Sequence, residues 1–178
     1  MFGGKPVESS HFVIPAGVSV PETTLMLHGS SVYTVDDRHR IVLPKSLASE
    51  LSEHLIVTLG PERNLLVYKY DTWFLRCQKL ENRGMDETSV IWDRRFIATA
   101  QKADLDTQSR FVVPESLREF TGIEKGTTIV VTGNRDRVEV WQKDAWYQYL
   151  ESITTQRIYE VMAEVERKPA PSAASELP

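Results

Sequence analysis

The sequence predicts an α+β fold in which two tandem βαββα units share one β-rich core. Residues 35–44 read VDDRHRIVLP and residues 105–114 read LDTQSRFVVP, the same order of an Asp, an Arg four positions on, and a Pro after three apolar residues. The match extends well beyond this motif. Asp36, Arg40, Val42, Pro44, Ser46 and Leu47 return as Asp106, Arg110, Val112, Pro114, Ser116 and Leu117, and Gly60, Asp71 and Trp73 return as Gly133, Asp144 and Trp146. A chain of 178 residues with 41% apolar content can bury one sizeable core or two small ones. Two copies are too few for a solenoid, so a pseudo-symmetric pair is expected.

Residues 1–25 hold three prolines, three glycines and no periodicity, and are expected to form a flexible extension. The first repeat spans 26–74. Its run RIVLP, rich in branched residues, reads as a strand that Pro44 closes while opening a short helix with Leu47 and Leu51 inward. Two strands follow, joined at GPERN, whose Gly, Pro and Asn suit a hairpin. Asp71 is then placed as a helix N-cap, with Trp73, Cys77 and Leu80 at helical spacing and the tryptophan in the core. Residues 75–102 form a helical connector with Asp86 near the start of its second part. The second repeat, 103–147, repeats the plan with Leu117 and Phe120 inward. A few extra residues fall where Gly122 and Gly126 mark a helix end and a turn, the hairpin closes at GNRD, and Asp144 is its N-cap with Trp146 in the core. A C-terminal helix over 148–167 and a disordered tail over 168–178, too poor in apolar residues to offset its ordering entropy, complete the chain.

Composition narrows the function. The longest apolar runs fall far short of the roughly 20 residues that cross a bilayer, and FVIPAGVSV, broken by Pro15 and preceded only by Lys5, makes a poor signal peptide. Cys77 is the single cysteine, which excludes an internal disulfide and fits a reducing, cytoplasmic setting. No G-x-S-x-G or complete Walker loop occurs, and His11, His28, His39 and His54 lack paired metal-ligand spacing. Asp36 and Asp37 are adjacent, so in an extended segment they diverge and make a poor acid–base pair. No enzyme activity, cofactor or metal is expected. The formal charge of −4 argues against a uniformly basic nucleic-acid binder but leaves room for a local basic patch.

The Asp-x-x-x-Arg element supports two readings. In one, Asp accepts hydrogen bonds from the turn amides and Arg pairs with it, fixing the corner that starts the strand. In the other, Asp braces the loop while the rigid guanidinium fork reaches a phosphate or the O6 and N7 edge of a guanine.

With these residues in view, MLHGSSVYTVDDRHRIVLP, and RRFIATAQKADLDTQSRFVVPESLREFTGI with VVTGNRDRVEVWQKDAWYQY, resemble the two halves of the MraZ family, transcriptional regulators of bacterial division and cell-wall gene clusters. The resemblance runs from about Met26 to Leu150. It implies two SpoVT/AbrB-type repeats packed as a swapped-hairpin β-barrel with flanking helices, assembly into a cyclic homo-oligomer, and binding of repeated double-stranded DNA elements upstream of the protein's own operon. It also implies that Arg40 and Arg110 contact DNA, with Asp36 and Asp106 supporting their loops, while Arg38 and His39 add phosphate contacts in the first copy only. The expected location is cytoplasmic and nucleoid-associated, without membrane attachment. The family places Gly before the Arg, as D-x-x-G-R, where this chain has His39 and Ser109; a positive φ there costs a non-Gly residue on the order of 1 kcal/mol. The alternatives are an antitoxin-type module that binds a partner protein, and a ring scaffold that has lost specific DNA binding.

Overall fold

The computed structural model describes residues 27–51, 54–81 and 86–167. The expected N-terminal extension, the C-terminal tail and part of the connector lie outside these residues. The chain divides into two compact units, residues 1–143 and residues 144–178.

Within the first unit, eight strands run β1 (Ser30–Thr34), β2 (Arg40–Val42), β3 (His54–Leu59), β4 (Leu65–Lys69), β5 (Gln101–Asp104), β6 (Arg110–Val112), β7 (Thr128–Asn134) and β8 (Arg137–Gln142). Helices α1 (Lys45–Ala48), α2 (Tyr70–Glu81), α3 (Glu87–Trp92) and α4 (Glu115–Thr121) intervene, and α3 continues into a π-helical turn over Asp93–Ile97. The fold is therefore α+β with antiparallel sheets. Each repeat opens with one strand more than the βαββα plan, because β1 and β5 precede the repeated loops.

The strands form a six-stranded antiparallel sheet, β1-β7-β8-β4-β3-β5, and a two-stranded ribbon, β2-β6. Exchanging each strand for its counterpart in the other repeat reverses this order without changing it, so the internal sequence repeat is a spatial pseudo-two-fold. The first strand of each repeat pairs with the hairpin of the other: Val32 opposes Val130 across β1 and β7, and Leu55 opposes Ala103 across β3 and β5. The sheet keeps two ends, at β1 and β5, so no ladder among the described strands closes it into a barrel.

The alternation of side chains along a strand puts Leu55, Val57, Leu59, Leu65, Val67, Ile129, Val131, Val138 and Val140 on one face of the sheet. That face packs against Val35, Ile41, Leu43, Leu47, Leu51, Phe111, Val113, Leu117 and Ile123. The opposite face of β3 and β4 is covered as well. Thr58 is fully buried there, its hydroxyl donating to the carbonyl of Phe96 at 2.7 Å and lying 2.8 Å from the Thr99 hydroxyl. Strands covered on both faces read as nearly continuous apolar runs, as HLIVTL and LLVYK do.

Pro44 and Pro114 open α1 and α4, and Gly122 ends α4 in the left-handed conformation at φ 67°. Asp86 caps α3, its carboxylate accepting from the amide of Ser89 at 2.8 Å. Several expectations change. Asp71 and Asp144 sit inside the first turns of their helices, complementing the helix dipole rather than standing at the N-cap. Trp73 and Trp146 are half-buried, and Trp73 lies 5.3 Å from the Tyr68 ring between centroids. Phe120, expected inward, is 38% exposed.

The second unit holds the rest of α5 (Lys143–Ser152) and α6 (Thr155–Arg167). Along α6, Ile158, Val161, Met162 and Val165 recur at helical spacing, yet each is at least 40% exposed. No helix among the described residues is long and apolar enough to cross a membrane.

Candidate nucleic-acid interface

The two repeated loops fold the same way. In the first, the Asp36 carboxylate accepts from the amides of Arg38 and Arg40, both at 2.9 Å, and from Nε of Arg40 at 2.6 Å. In the second, Asp106 accepts from the amides of Gln108 and Arg110, both at 2.9 Å, and from Nε of Arg110 at 2.8 Å. Backbone bonds close both turns, from His39 to the carbonyl of Asp36 and from Ser109 to that of Asp106. The turn demands a left-handed residue before each Arg: His39 has φ 56° and Ser109 φ 58°.

These contacts set the charge state of the loops. Loss of water works to raise the Asp36 pKa, but the amides of Arg40 and Arg38 and the Arg40 guanidinium outweigh it and hold the carboxyl below its ordinary value. At Asp106 the Arg110 guanidinium is the largest influence. It acts against some desolvation and together with the amides of Arg110 and Gln108, and the carboxyl falls from 3.8 to about 2. Both loops thus hold a carboxylate and a guanidinium, paired, throughout the neutral range.

What brings the two arginines together is the ribbon. β2 and β6 pair antiparallel with Arg40 opposite Val112, Ile41 opposite Phe111, and Val42 opposite Arg110. Strand alternation then fixes two faces. Ile41 and Phe111, 0% and 1% exposed, anchor one face in the core. Arg40, Val42, Arg110 and Val112 share the other, with the two arginines at diagonal corners. A diagonal pair of this kind is about 7 to 8 Å apart. Backbone bonds from Leu43 to the Ser109 carbonyl and from Val113 to the His39 carbonyl tie each loop to the far end of the partner strand. The arginines are thereby presented by a rigid element. A guanidinium carries five N–H donors, so bracing through Nε at Arg40, and through Nε and Nη2 at Arg110, leaves others for a ligand.

The remaining sequence candidates divide. Arg38 is exposed beside the ribbon. His39 is turned inward, with Nδ1 3.0 Å from a Glu124 carboxylate oxygen, an ion-pair distance without hydrogen-bond alignment; the same carboxylate lies 3.4 Å from Arg118. Val42 and Val112 were not singled out from sequence, although their period-two spacing from Arg40 and Arg110 was visible. Val112 is 52% exposed on the arginine face, the chemistry that meets a thymine methyl. Among the described residues, no three His, Cys, Asp or Glu side chains converge as a metal site.

Residues 26–94 and 96–164 each match the model of a family described as "MraZ protein, putative antitoxin-like". The chain is 33% identical over 140 residues to the transcriptional regulator MraZ of Caldanaerobacter subterraneus subsp. tengcongensis, covering 78% of this chain and 95% of that protein. It is 34% identical over 124 residues to the transcriptional regulator MraZ of Symbiobacterium thermophilum, covering 69% and 88%. The transcriptional regulator MraZ of Thermus thermophilus is 31% identical over 129 residues, covering 72% and 90%.

Proposed function

The chain belongs to the MraZ family, and from that premise we propose that it is a sequence-specific DNA-binding transcriptional regulator acting on repeated elements upstream of its own gene cluster, without catalysis. The observation that carries this reading is the β2-β6 ribbon, which sets Arg40 and Arg110 on one face about 7 to 8 Å apart. Two guanidinium-bearing residues on one face suit guanine edges or phosphates of a single duplex.

Charge shapes the rest of the proposal. Residues 36–40 and 106–110 each sum to zero formal charge, so one subunit offers little non-specific attraction. A cyclic homo-oligomer supplies the missing affinity, because several weak loops engaging one duplex raise the effective concentration of each. The exposed apolar stripe of α6 supports self-association. The strand exchange between repeats fits a swapped-hairpin relationship of the SpoVT/AbrB type. A nucleoid-associated protein in the cytoplasm follows from this function.

The test is a titration of the duplex upstream of the gene against a scrambled duplex at several salt concentrations. The reading expects tighter binding to the upstream duplex and a strong salt dependence for both. Equal affinity for the two, or a co-purifying protein that occupies the loops, would favour the scaffold or antitoxin alternatives.

A further inference from the structure

Away from the ribbon, two arginines converge. Arg40, Arg76, Arg110, Arg118, Arg137 and Arg157 each pair with a carboxylate. Arg63 and Arg95, like Arg38, Arg94, Arg135 and Arg167, have no carboxylate at ion-pair distance among the described residues, but they lie close together over one ring. Their guanidinium carbons are 5.5 and 4.3 Å from the centroid of the Phe120 ring. Arg63 donates twice to the Phe120 carbonyl, at 3.2 and 3.0 Å, and Arg95 donates to the Gly60 carbonyl. Carbonyls and a ring face position these cations without neutralising them. Arg95 is held below its usual pKa by desolvation first and then by the charge of Arg63, with Glu62 opposing.

Three local features mark the same place. Arg95 sits on the π-helical turn Asp93–Ile97, a distortion that recurs at functional sites. Arg63 holds φ 59° in the β3-β4 turn, a conformation that Arg135 shares in the β7-β8 turn and that fixes where the Arg63 side chain leaves the hairpin. Asn64, on that turn, is 1% exposed, and neither its Oδ1 nor its Nδ2 has a hydrogen-bond partner among the described residues. A buried, unpartnered amide is a rare feature that calls for a partner.

We propose that Arg63 and Arg95, set around Phe120, form an anion site for a phosphate group, separate from the ribbon. Two unneutralised guanidinium charges match a dianion, whereas a single carboxylate would leave one uncompensated, and each fork retains donors suited to phosphate oxygens. The site lies at the far end of β3 from the second loop. β3 runs from His54, opposite Asp104 and so beside the second loop, to Leu59 at this turn, a path of about 17 Å. The phosphate is either free, as the inorganic ion or part of a small molecule, or belongs to a nucleic-acid backbone.

The experiment follows melting of the full chain in inorganic phosphate and in sodium chloride of equal ionic strength, for wild type, Arg63→Gln and Glu62→Gln. Phosphate raises the stability of any folded protein somewhat through exclusion from its surface, so the quantity read is the excess over Arg63→Gln. At about five times Kd the excess is expected to be about 2 to 4 °C, and Glu62→Gln should keep or enlarge it. If Arg63→Gln does not fold, Arg63→Lys gives the same reading, since it keeps the charge but loses the fork and should lose about half the excess or more. A parallel DNA titration separates the sources. An excess with an unchanged slope of log affinity against log salt identifies free phosphate. A slope reduced in magnitude by about 0.9 in the Arg63 variant identifies a backbone phosphate. If the Arg63 variant matches wild type in both measurements, the site is overturned.

Discussion

Ser109 stands at φ 58°, where the family pattern noted from the sequence has Gly, and among the described residues no side-chain hydrogen bond holds it there. A pair of substitutions isolates what that backbone geometry costs. Ser109→Gly removes the left-handed penalty of about 1 to 2 kcal/mol but loosens the unfolded chain by about 0.4 to 1 kcal/mol, a net gain of about 0.5 kcal/mol. Ser109→Val puts a β-branched side chain where it fits worst and should lose about 1 to 2 kcal/mol. The two variants therefore differ by about 2 kcal/mol, which for a chain of this size is about 4 to 8 °C in melting temperature. Urea melts of both, with unchanged m values, give the same comparison on a free-energy scale. If Val and Gly at this position agree within about 0.5 kcal/mol, the range of an ordinary surface substitution, the loop does not hold a left-handed residue. His39→Gly should gain less, because it also removes the contact with Glu124.

Two further outcomes follow from the same geometry. The Asp106 carboxyl has a folded pKa of about 2, below the 3.8 it has when free. Its contribution to stability is thus fully present above about pH 4 and is lost as pH falls toward 2, so Asp106→Asn should be less stable than wild type at pH 7 and nearly equal to it at pH 2, as read by denaturant melts across that range. Phe111, 1% exposed beneath the ribbon, should cost about 3 to 5 kcal/mol when changed to Ala; a loss under about 1 kcal/mol in an equilibrium melt would mean that the ribbon is not seated on the core.

The parts of this molecule that could be read from sequence are those whose cause is local. Pro44 and Pro114 stand at the N-caps of α1 and α4, where the strand ends and the helix begins, and Asp36 and Asp106 organise loops because a short carboxylate reaches amides two and four residues on. The left-handed conformations at His39 and Ser109 were legible only through the Gly that the resembling family places there. What stayed hidden depends on distant partners. QKAD carries no strand pattern, and β5 exists because β3 supplies its hydrogen bonds from almost fifty residues away. The exchange of first strands between repeats leaves no trace in either repeat alone. The approach of His39 to Glu124 also stayed hidden, because the two are distant in sequence. Phe120 read as core because a phenylalanine at helical spacing usually is; its ring instead meets two arginines, one from a hairpin turn and one from a π-helical turn, both distant in sequence.

The central claim is that Arg40 and Arg110, joined on one face of the β2-β6 ribbon, read a single duplex. The most direct test is the affinity ratio between the upstream duplex and a scrambled one, measured for wild type and for Arg40→Ala combined with Arg110→Ala, with melting temperature and oligomeric state recorded for both. The account predicts a folded double variant of unchanged oligomeric state whose ratio falls to about one, each lost bidentate base contact removing about 1 to 3 kcal/mol of discrimination. A double variant that keeps the wild-type ratio, or that loses binding only because it no longer folds, would contradict it and leave the repeated loops with a purely architectural role.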